Sequence, residues 1–196
     1  MTYTLYDTAH NIFIRPLQVS DVEALLAIRL NTRKAYEPFE PKRAEAFYTL
    51  HEQRQLILSR EEDRLLDRAY MFGIFTSDAE LIGQVTISNV VRGVGQYADV
   101  GYLIDLIHQG KGYMTAALGL ALQYAFEALR LHRVQAVILP INQPSRRVLE
   151  KSGFQREGVA RRFLRINDQW QDHETFAILE EEYLDLYSQQ KDPPSI

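Results

Sequence analysis

Residues 99–115, DVGYLIDLIHQGKGYMT, decide how the rest of the chain is read. The run at 100–104 is apolar, carries Gly101 and Tyr102, and is too short for a helix, so it reads as a strand. After a turn, Gln109, Gly110, Lys111 and Gly112 lead into a segment whose small and apolar residues recur at 114, 117, 118, 121, 125, 128 and 129, the spacing of one helix face. Strand, glycine turn and helix make an anion-binding construction. The first turn of a helix has backbone N–H groups without intrahelical partners, and the aligned peptide dipoles place about half a positive charge there. Gly110 and Gly112 let a phosphate approach that backbone, and Lys111 adds a mobile cation.

The letters exclude two other phosphate turns. A P-loop needs Ser or Thr after Lys111, where Gly112 stands, and a dinucleotide fingerprint needs Gly or Ala where Thr115 stands. The GxGxxA spelled by residues 93–98 lies between two strand-like segments and reads as a hairpin loop.

Working outward, residues 70–75 and 81–91 are strands joined across a Ser77-Asp78-Ala79-Glu80 turn, and with the motif strand they form an antiparallel meander. Residues 12–17 give a first strand, with Pro16 at an edge or end. Ser20-Asp21-Val22-Glu23 is a capping box opening a helix through Leu25, Leu26, Ile28 and Arg29. Residues 32–43 hold two prolines and read as a loop. Tyr36, Glu37, Phe39 and Glu40 make it aromatic and acidic, either tucked onto the core or lining a substrate site. Residues 44–68 read as one long charged helix, with Phe47, Leu50, Leu56, Ile57, Leu65 and Leu66 available for burial and 60–64 as a solvated face.

Downstream, residues 133–139 form a strand ending at Pro140, and Pro144 begins a short helix to Ser152 that Gly153 closes. Residues 154–166 and 170–179 form a hairpin turned at Asn167 and Asp168, with a bulge at Gly158. Residues 180–190 suit a terminal helix, and the tail from Asp192 is expected to fray. The order β-α-α-β-β-β-α-β-α-β-β is an α/β fold with a mixed, mostly antiparallel sheet flanked by helices.

A chain of 196 residues without a linker is expected to form a single domain over 1–196, with its core in about 12–180. The 46% apolar content is ordinary, and no apolar run approaches the ~20 residues of a membrane span. The first residues lack a cationic region followed by an apolar core, which favours a cytoplasmic protein. The absence of cysteine excludes disulfides, a thiolate nucleophile and Cys-based zinc sites. His10, His51 and His132 have no metal-ligand spacing, so no metal is expected; His108 precedes the phosphate turn within reach of it, His173 reads as core or as a substrate contact, and Trp170 as core. A net charge of −4 argues against nucleic-acid binding and suits a cationic partner.

Gln109-Gly110-Lys111-Gly112-Tyr113-Met114 resembles the [RQ]xxGx[GA] acetyl-coenzyme A signature of the GNAT N-acetyltransferases, departing from it at Met114. Asn142-Gln143-Pro144-Ser145 with Val148-Leu149-Glu150-Lys151-Ser152-Gly153-Phe154 resembles that family's second half-motif, N-x-x-S-x-x-(V/A)-hydrophobic-x-x-x-G-F. Residues 37–41, 88–93 and 169–173 look like the RimJ branch, the ribosomal-protein-alanine N-acetyltransferases. The resemblance implies a V-shaped cleft between two splayed parallel strands that takes acetyl-CoA as cosubstrate. By the same resemblance the backbone of Gln109, Gly110, Lys111, Gly112, Tyr113 and Met114, with Thr115, holds the pyrophosphate, and Leu103, Ile104 and the Asn142 side chain align the pantetheine arm. Asn142 also reads as a helix cap.

Acetyl transfer from a thioester to an amine needs a grip on the cosubstrate, alignment, a neutral amine and a proton for the departing thiolate. Ser145 either donates to the sulfur, as the RimL and RimJ type implies, or serves the helix start. Asp99 and Glu40 are the base candidates; the glutamate that relatives of the RimL type carry seven residues after their Glu-Gly pair is Leu164 here. The implied acceptor is the α-amine of a protein N-terminus beginning with alanine on a basic ribosomal protein. A polyamine or aminoglycoside, or a non-catalytic acyl-CoA sensor, is the alternative, and monomer and homodimer stay open. An α-amine titrates near pH 8 and lysine near 10.4, so a weakly activated base suits the former better.

Overall fold

Alternation along one strand explains why helices cover both faces of the sheet. In β3 (Tyr70–Thr76), Phe72 and Ile74 pack against Ala117, Leu118, Ala121 and Leu122 of α3 (Tyr113–Gln123). Met71 and Phe75, on the other face, pack with Leu25 and Ile28 of α1 (Val22–Tyr36) and Ile57 of α2 (Leu50–Leu65). A strand apolar on both faces must lie inside the sheet. The structure, a computed structural model, describes residues 3–188.

The remaining strands are β1 (Leu5–Asp7), β2 (Ile12–Pro16), β4 (Leu81–Val91), β5 (Tyr97–Ile104), β6 (Arg133–Ile138), β7 (Gln155–Ile166) and β8 (Gln169–Leu179). Helices α4 (Gln143–Lys151) and α5 (Glu180–Ser188) complete the strands and α-helices among the described residues. The sheet runs β1-β2-β3-β4-β5-β6-β8-β7, and each neighbouring pair is antiparallel except β5 with β6. That mixed, mostly antiparallel architecture is the expected fold class. The meander, the bulge at Gly158 and the turn at Asn167 and Asp168 also stand as read. No helix among the described residues is long and apolar enough to cross a membrane.

Four local readings are corrected. A strand, β1, precedes the first one expected. Ser20 caps nothing: a 3-10 turn over Val19–Asp21 leads into α1, and the Asp21 carboxylate accepts the Gln18 N–H at 2.7 Å while pairing with Arg15 at 2.7 Å. Residues 32–36 are helix, since Pro38 and Pro41 stop the chain only after Tyr36. The long helix over 44–68 is broken at Thr49, whose extended backbone (φ −123°) restarts α2 and whose Oγ1 accepts the Glu52 N–H. Leu50, Leu65 and Leu66 are accordingly exposed instead of buried. The frayed tail lies outside the described residues.

Candidate active site

The sheet opens at its one parallel pair. β5 and β6 are in register only at Tyr97 with Arg133, Ala98 with Val134 and Asp99 with Gln135. Beyond that last rung they part, and a cleft of about 840 Å³ lies between them. Asp99 fastens the closed end: one carboxylate oxygen accepts from Gln135 Nε2 at 2.7 Å and the other from Asn89 Nδ2 at 2.6 Å. It is absent from the cleft lining, so this base candidate sits at the apex as a clasp.

Parting the strands exposes backbone, and its direction follows from the register. Asp105 donates its N–H to the Ile82 carbonyl at 2.8 Å, and Leu103 lies opposite Gln84. Backbone groups alternate sides along a strand. Those of Leu103 therefore face β4, while those of Tyr102 and Ile104 face the opening, which corrects the expectation for Leu103. The Tyr36 hydroxyl caps Ile104, donating to its carbonyl at 3.1 Å and accepting its N–H at 3.3 Å and Gln109 Nε2 at 3.2 Å.

Past β5 the chain turns through Gly110 (φ +74°) and Gly112 (φ +84°), left-handed conformations that favour glycine. At Gly112 a Cβ would also stand 3.0 Å from His10 Nε2. The Ala116 N–H is the first to find an intrahelical partner, the Gly112 carbonyl, so the N–H groups of Tyr113, Met114 and Thr115 stay free for an anion. Those three residues line the cleft with Gln109, Gly110 and Gly112, whereas Lys111 is exposed outside its lining.

Helix α4 forms the facing wall. Asn142 caps it, its Oδ1 accepting the Ser145 N–H at 3.2 Å, and its Nδ2 has no partner among the described residues. Ser145 Oγ lies 2.8 Å from the Tyr102 hydroxyl, which is also 3.2 Å from the Ser145 carbonyl. A carbonyl only accepts, so when Tyr102 donates to it, Ser145 donates to Tyr102; when Tyr102 donates to Oγ, the serine proton is free for a third group. Burial pushes the Tyr102 hydroxyl well above the usual phenol range, which keeps it protonated. One helical turn apart, Arg147 and Lys151 reach the same cleft.

The opposite side is made of side chains from distant segments. Glu40 lines the cleft 3.7 Å from Arg29, whose guanidinium burial holds below its ordinary value, with Glu40 partly offsetting that. A side pocket of about 110 Å³ there gathers Arg29, Arg33, Lys42 and Arg43 against Glu37, Glu40 and Glu45. The loop is thus not acidic in its surroundings. Asn167 of the β7–β8 turn donates Nδ2 to the Glu37 carbonyl at 3.0 Å, tying the two walls of this side together. His173 of β8 is 3% exposed and lines the cleft, with Nδ1 3.0 Å from the Gln171 carbonyl. Its neighbour Glu174 points the other way, to Arg146 and Arg156; burial alone would raise that carboxyl, but the two arginines hold it below the usual range.

Of the expected residues, the cleft brings together Glu40, Ile104, Gln109, Gly110, Gly112, Tyr113, Met114, Thr115, Asn142 and Ser145, and leaves out Asp99, Leu103 and Lys111. Sequence reasoning missed Tyr102, Arg147 and Lys151. The last two were findable, at i and i+4 on the helix that the Asn142 to Phe154 motif announces. Trp170, read as core, is 63% exposed.

The acetyltransferase (GNAT) domain model matches residues 11–155. The chain is 46% identical over 169 residues, 86% of its length and 93% of the relative's, to the probable N-acetyltransferase YjcK of Bacillus subtilis. Over 168 residues, 85% of this chain and 86% of the other, it is 34% identical to the ribosomal protein uS5-alanine N-acetyltransferase of Escherichia coli. Among solved structures, Mycobacterium smegmatis RimJ in complex with CoA-disulfide superposes with a TM-score of 0.86 at 31% identity, covering 95% of this chain and 94% of that one.

Proposed function

Because the chain belongs to the GNAT acetyltransferase family and is an acetyl-CoA-dependent N-acetyltransferase, we propose that its acceptor is the α-amine of a protein N-terminus, alanine first, on a ribosomal or other protein. The reading is supported by the likeness, over 85% of this chain and 86% of the other, to an enzyme whose name gives an alanine of ribosomal protein uS5 as its acceptor.

The residues present fit the cosubstrate, which supplies a thioester-activated acetyl group. The free N–H groups of Tyr113, Met114 and Thr115, beside a Gly112 that a side chain would crowd against His10, suit a pyrophosphate. Arg147 and Lys151 bring cations to the same cleft. The outward backbone of Tyr102 and the spare Asn142 Nδ2 suit the amides of the pantetheine arm, and the Ile104 groups join them where the arm displaces the Tyr36 hydroxyl. On this reading Ser145, held by Tyr102, hydrogen-bonds a departing sulfur, and Glu40 in the cleft lining holds the acceptor ammonium before it loses a proton.

Two features support a chain end over a small polycation. The acceptor side is a groove running between the 36–43 segment and the β7–β8 hairpin, and its carboxylates are matched by Arg29, Arg33, Lys42 and Arg43. A polyamine would meet a wall with no net negative charge.

The test supplies acetyl-CoA with Ala-initiated and Ser-initiated peptides, the same peptides N-terminally blocked, and small polyamines, and locates the acetyl group by mass. The expected product is acetylated only at free α-amines, with alanine favoured. Acetylation that persists on blocked peptides, or appears only on polyamines, overturns the assignment, and cosubstrate binding without turnover on any amine restores the sensor reading.

A further inference from the structure

We propose that His173 is the general base of the transfer, taking the proton of the acceptor nitrogen at Nε2. The inference rests on the amine-acetylating reading of the cleft and is independent of which amine is acetylated.

The ring is anchored in one orientation. Nδ1 lies 3.0 Å from the Gln171 carbonyl, and a carbonyl only accepts, so Nδ1 carries the proton. The lone pair then sits on Nε2, which has no hydrogen-bond partner among the described residues although the side chain is 3% exposed and faces the cleft. Phe163 holds the ring from the side, edge-on at 6.1 Å between centroids. A buried, oriented imidazole with one idle nitrogen in a reaction cleft has the form of a base awaiting its substrate.

Strand register places it on the correct side. Thr175 lies opposite Val137 and Glu174 opposite Ile138, so His173 stands one rung beyond the end of β6, at the cleft. Successive residues of a strand face opposite ways. Glu174 reaches Arg146 on α4, the wall that carries Ser145, so His173 points away from that wall and towards the side of Tyr36 and Glu40.

The other histidine and the charged groups lining the cleft are unsuited to the task. Glu40 is engaged with Arg29, and the Tyr36 hydroxyl with Ile104. Arg43, Arg147 and Lys151 are cations with no lone pair to offer. His108 stands by the glycine turn against Tyr113, its Nδ1 sealed from solvent and without a partner. The other residues of its own hairpin that line the cleft are Leu164 and Ile166, which bring no charge.

The step balances. The acceptor nitrogen forms a C–N bond to the acetyl carbon, its proton passes to His173 Nε2, and the C–S bond breaks with its electron pair leaving on sulfur. The proton returns from Nε2 through solvent to that thiolate, leaving amide, free thiol and a neutral ring.

The experiment follows kcat/KM against pH for the wild type, His173→Gln and His173→Ala, with an amine that the wild type acetylates. At the foot of its acidic limb, below both ionisations, the wild type is expected to climb with a log–log slope of two, one ionisation from the amine and one from the base. Both variants are expected to climb with a slope of one and to lose about 100-fold or more in kcat. Their acceptor KM and their thermal shift with acetyl-CoA should stay near wild type. A folded variant that keeps a slope of two, or a kcat within about threefold of wild type, overturns the proposal. If neither variant shows the thermal shift, the wild-type profile decides: a slope of one overturns the proposal and a slope of two upholds it. A wild type that turns over no amine at all overturns the acetyltransferase reading and His173 with it.

Discussion

The cosubstrate side and the acceptor side of the wedge are built from different materials. The first is largely main chain: a left-handed glycine turn, three free N–H groups at the start of α3 and the outward backbone of Tyr102 and Ile104. The second is almost wholly side chain, with Tyr36, Glu40 and Arg43 from one segment and Leu164 and His173 from a hairpin more than a hundred residues later. Recognition by main chain tolerates change in the letters around it so long as the conformation is kept. Recognition by side chains is re-specified by each substitution. The first therefore suits a cosubstrate common to a family, and the second an acceptor that differs between its members.

The comparison breaks most visibly at Gly112. Replacing it with glutamate forces a side chain into φ +84°, presses it on His10 and sets an anion where the pyrophosphate belongs. The thermal shift given by millimolar acetyl-CoA in the wild type should vanish, and activity should fall by about three orders of magnitude or more, roughly 4 kcal/mol in transition-state terms. A shift that survives would show that the glycine turn is not the anion site.

A smaller effect is expected where the two sides meet. Ser145→Ala should lower kcat by about one to two orders of magnitude while leaving acetyl-CoA KM nearly unchanged, as for an interaction made in the transition state. Tyr102→Phe, which only frees the serine hydroxyl, should cost about tenfold. If both variants turn over at the wild-type rate, Ser145 serves α4 alone.

The smallest catalytic effect is expected at the apex. Asp99→Asn removes an acceptor from two short amide contacts, so stability should drop by about 1–3 kcal/mol, seen as a melting point lower by several degrees. The shape of the pH–rate profile should not change. Loss of its acidic limb in this variant would return Asp99 to the role of base and count against His173.

What was legible in the sequence follows the same division. The glycine turn and the Asn142-to-Phe154 helix announce themselves because their signals are local: a positive φ needs glycine, and a helix start needs a cap and tolerates proline. The element order was likewise readable from periodicity. Leu103 was named in place of Tyr102 because direction along a strand changes with every residue, and only the β4–β5 register says which backbone groups point outward. Asp99 looked like a cleft carboxylate until its two amide partners, Asn89 and Gln135, were placed by strands on either side. His173 was read as core or as a substrate contact but not as a base, since its orientation depends on a carbonyl two residues away and its setting on where β6 ends.

The parting of β5 from β6 amounts to a sheet edge in the middle of a sheet. Edges elsewhere are hazards, because any extended chain can add itself to their unpaired groups. This one is walled by α4 on one side and by the β7–β8 hairpin and the 36–43 segment on the other, so a second β-strand with its row of side chains has no room to dock. A slender, amide-bearing arm does. Selectivity against aggregation and admission of the cosubstrate are thus one and the same steric condition, and the Tyr36 hydroxyl on Ile104 keeps part of that inner edge satisfied in the protein alone.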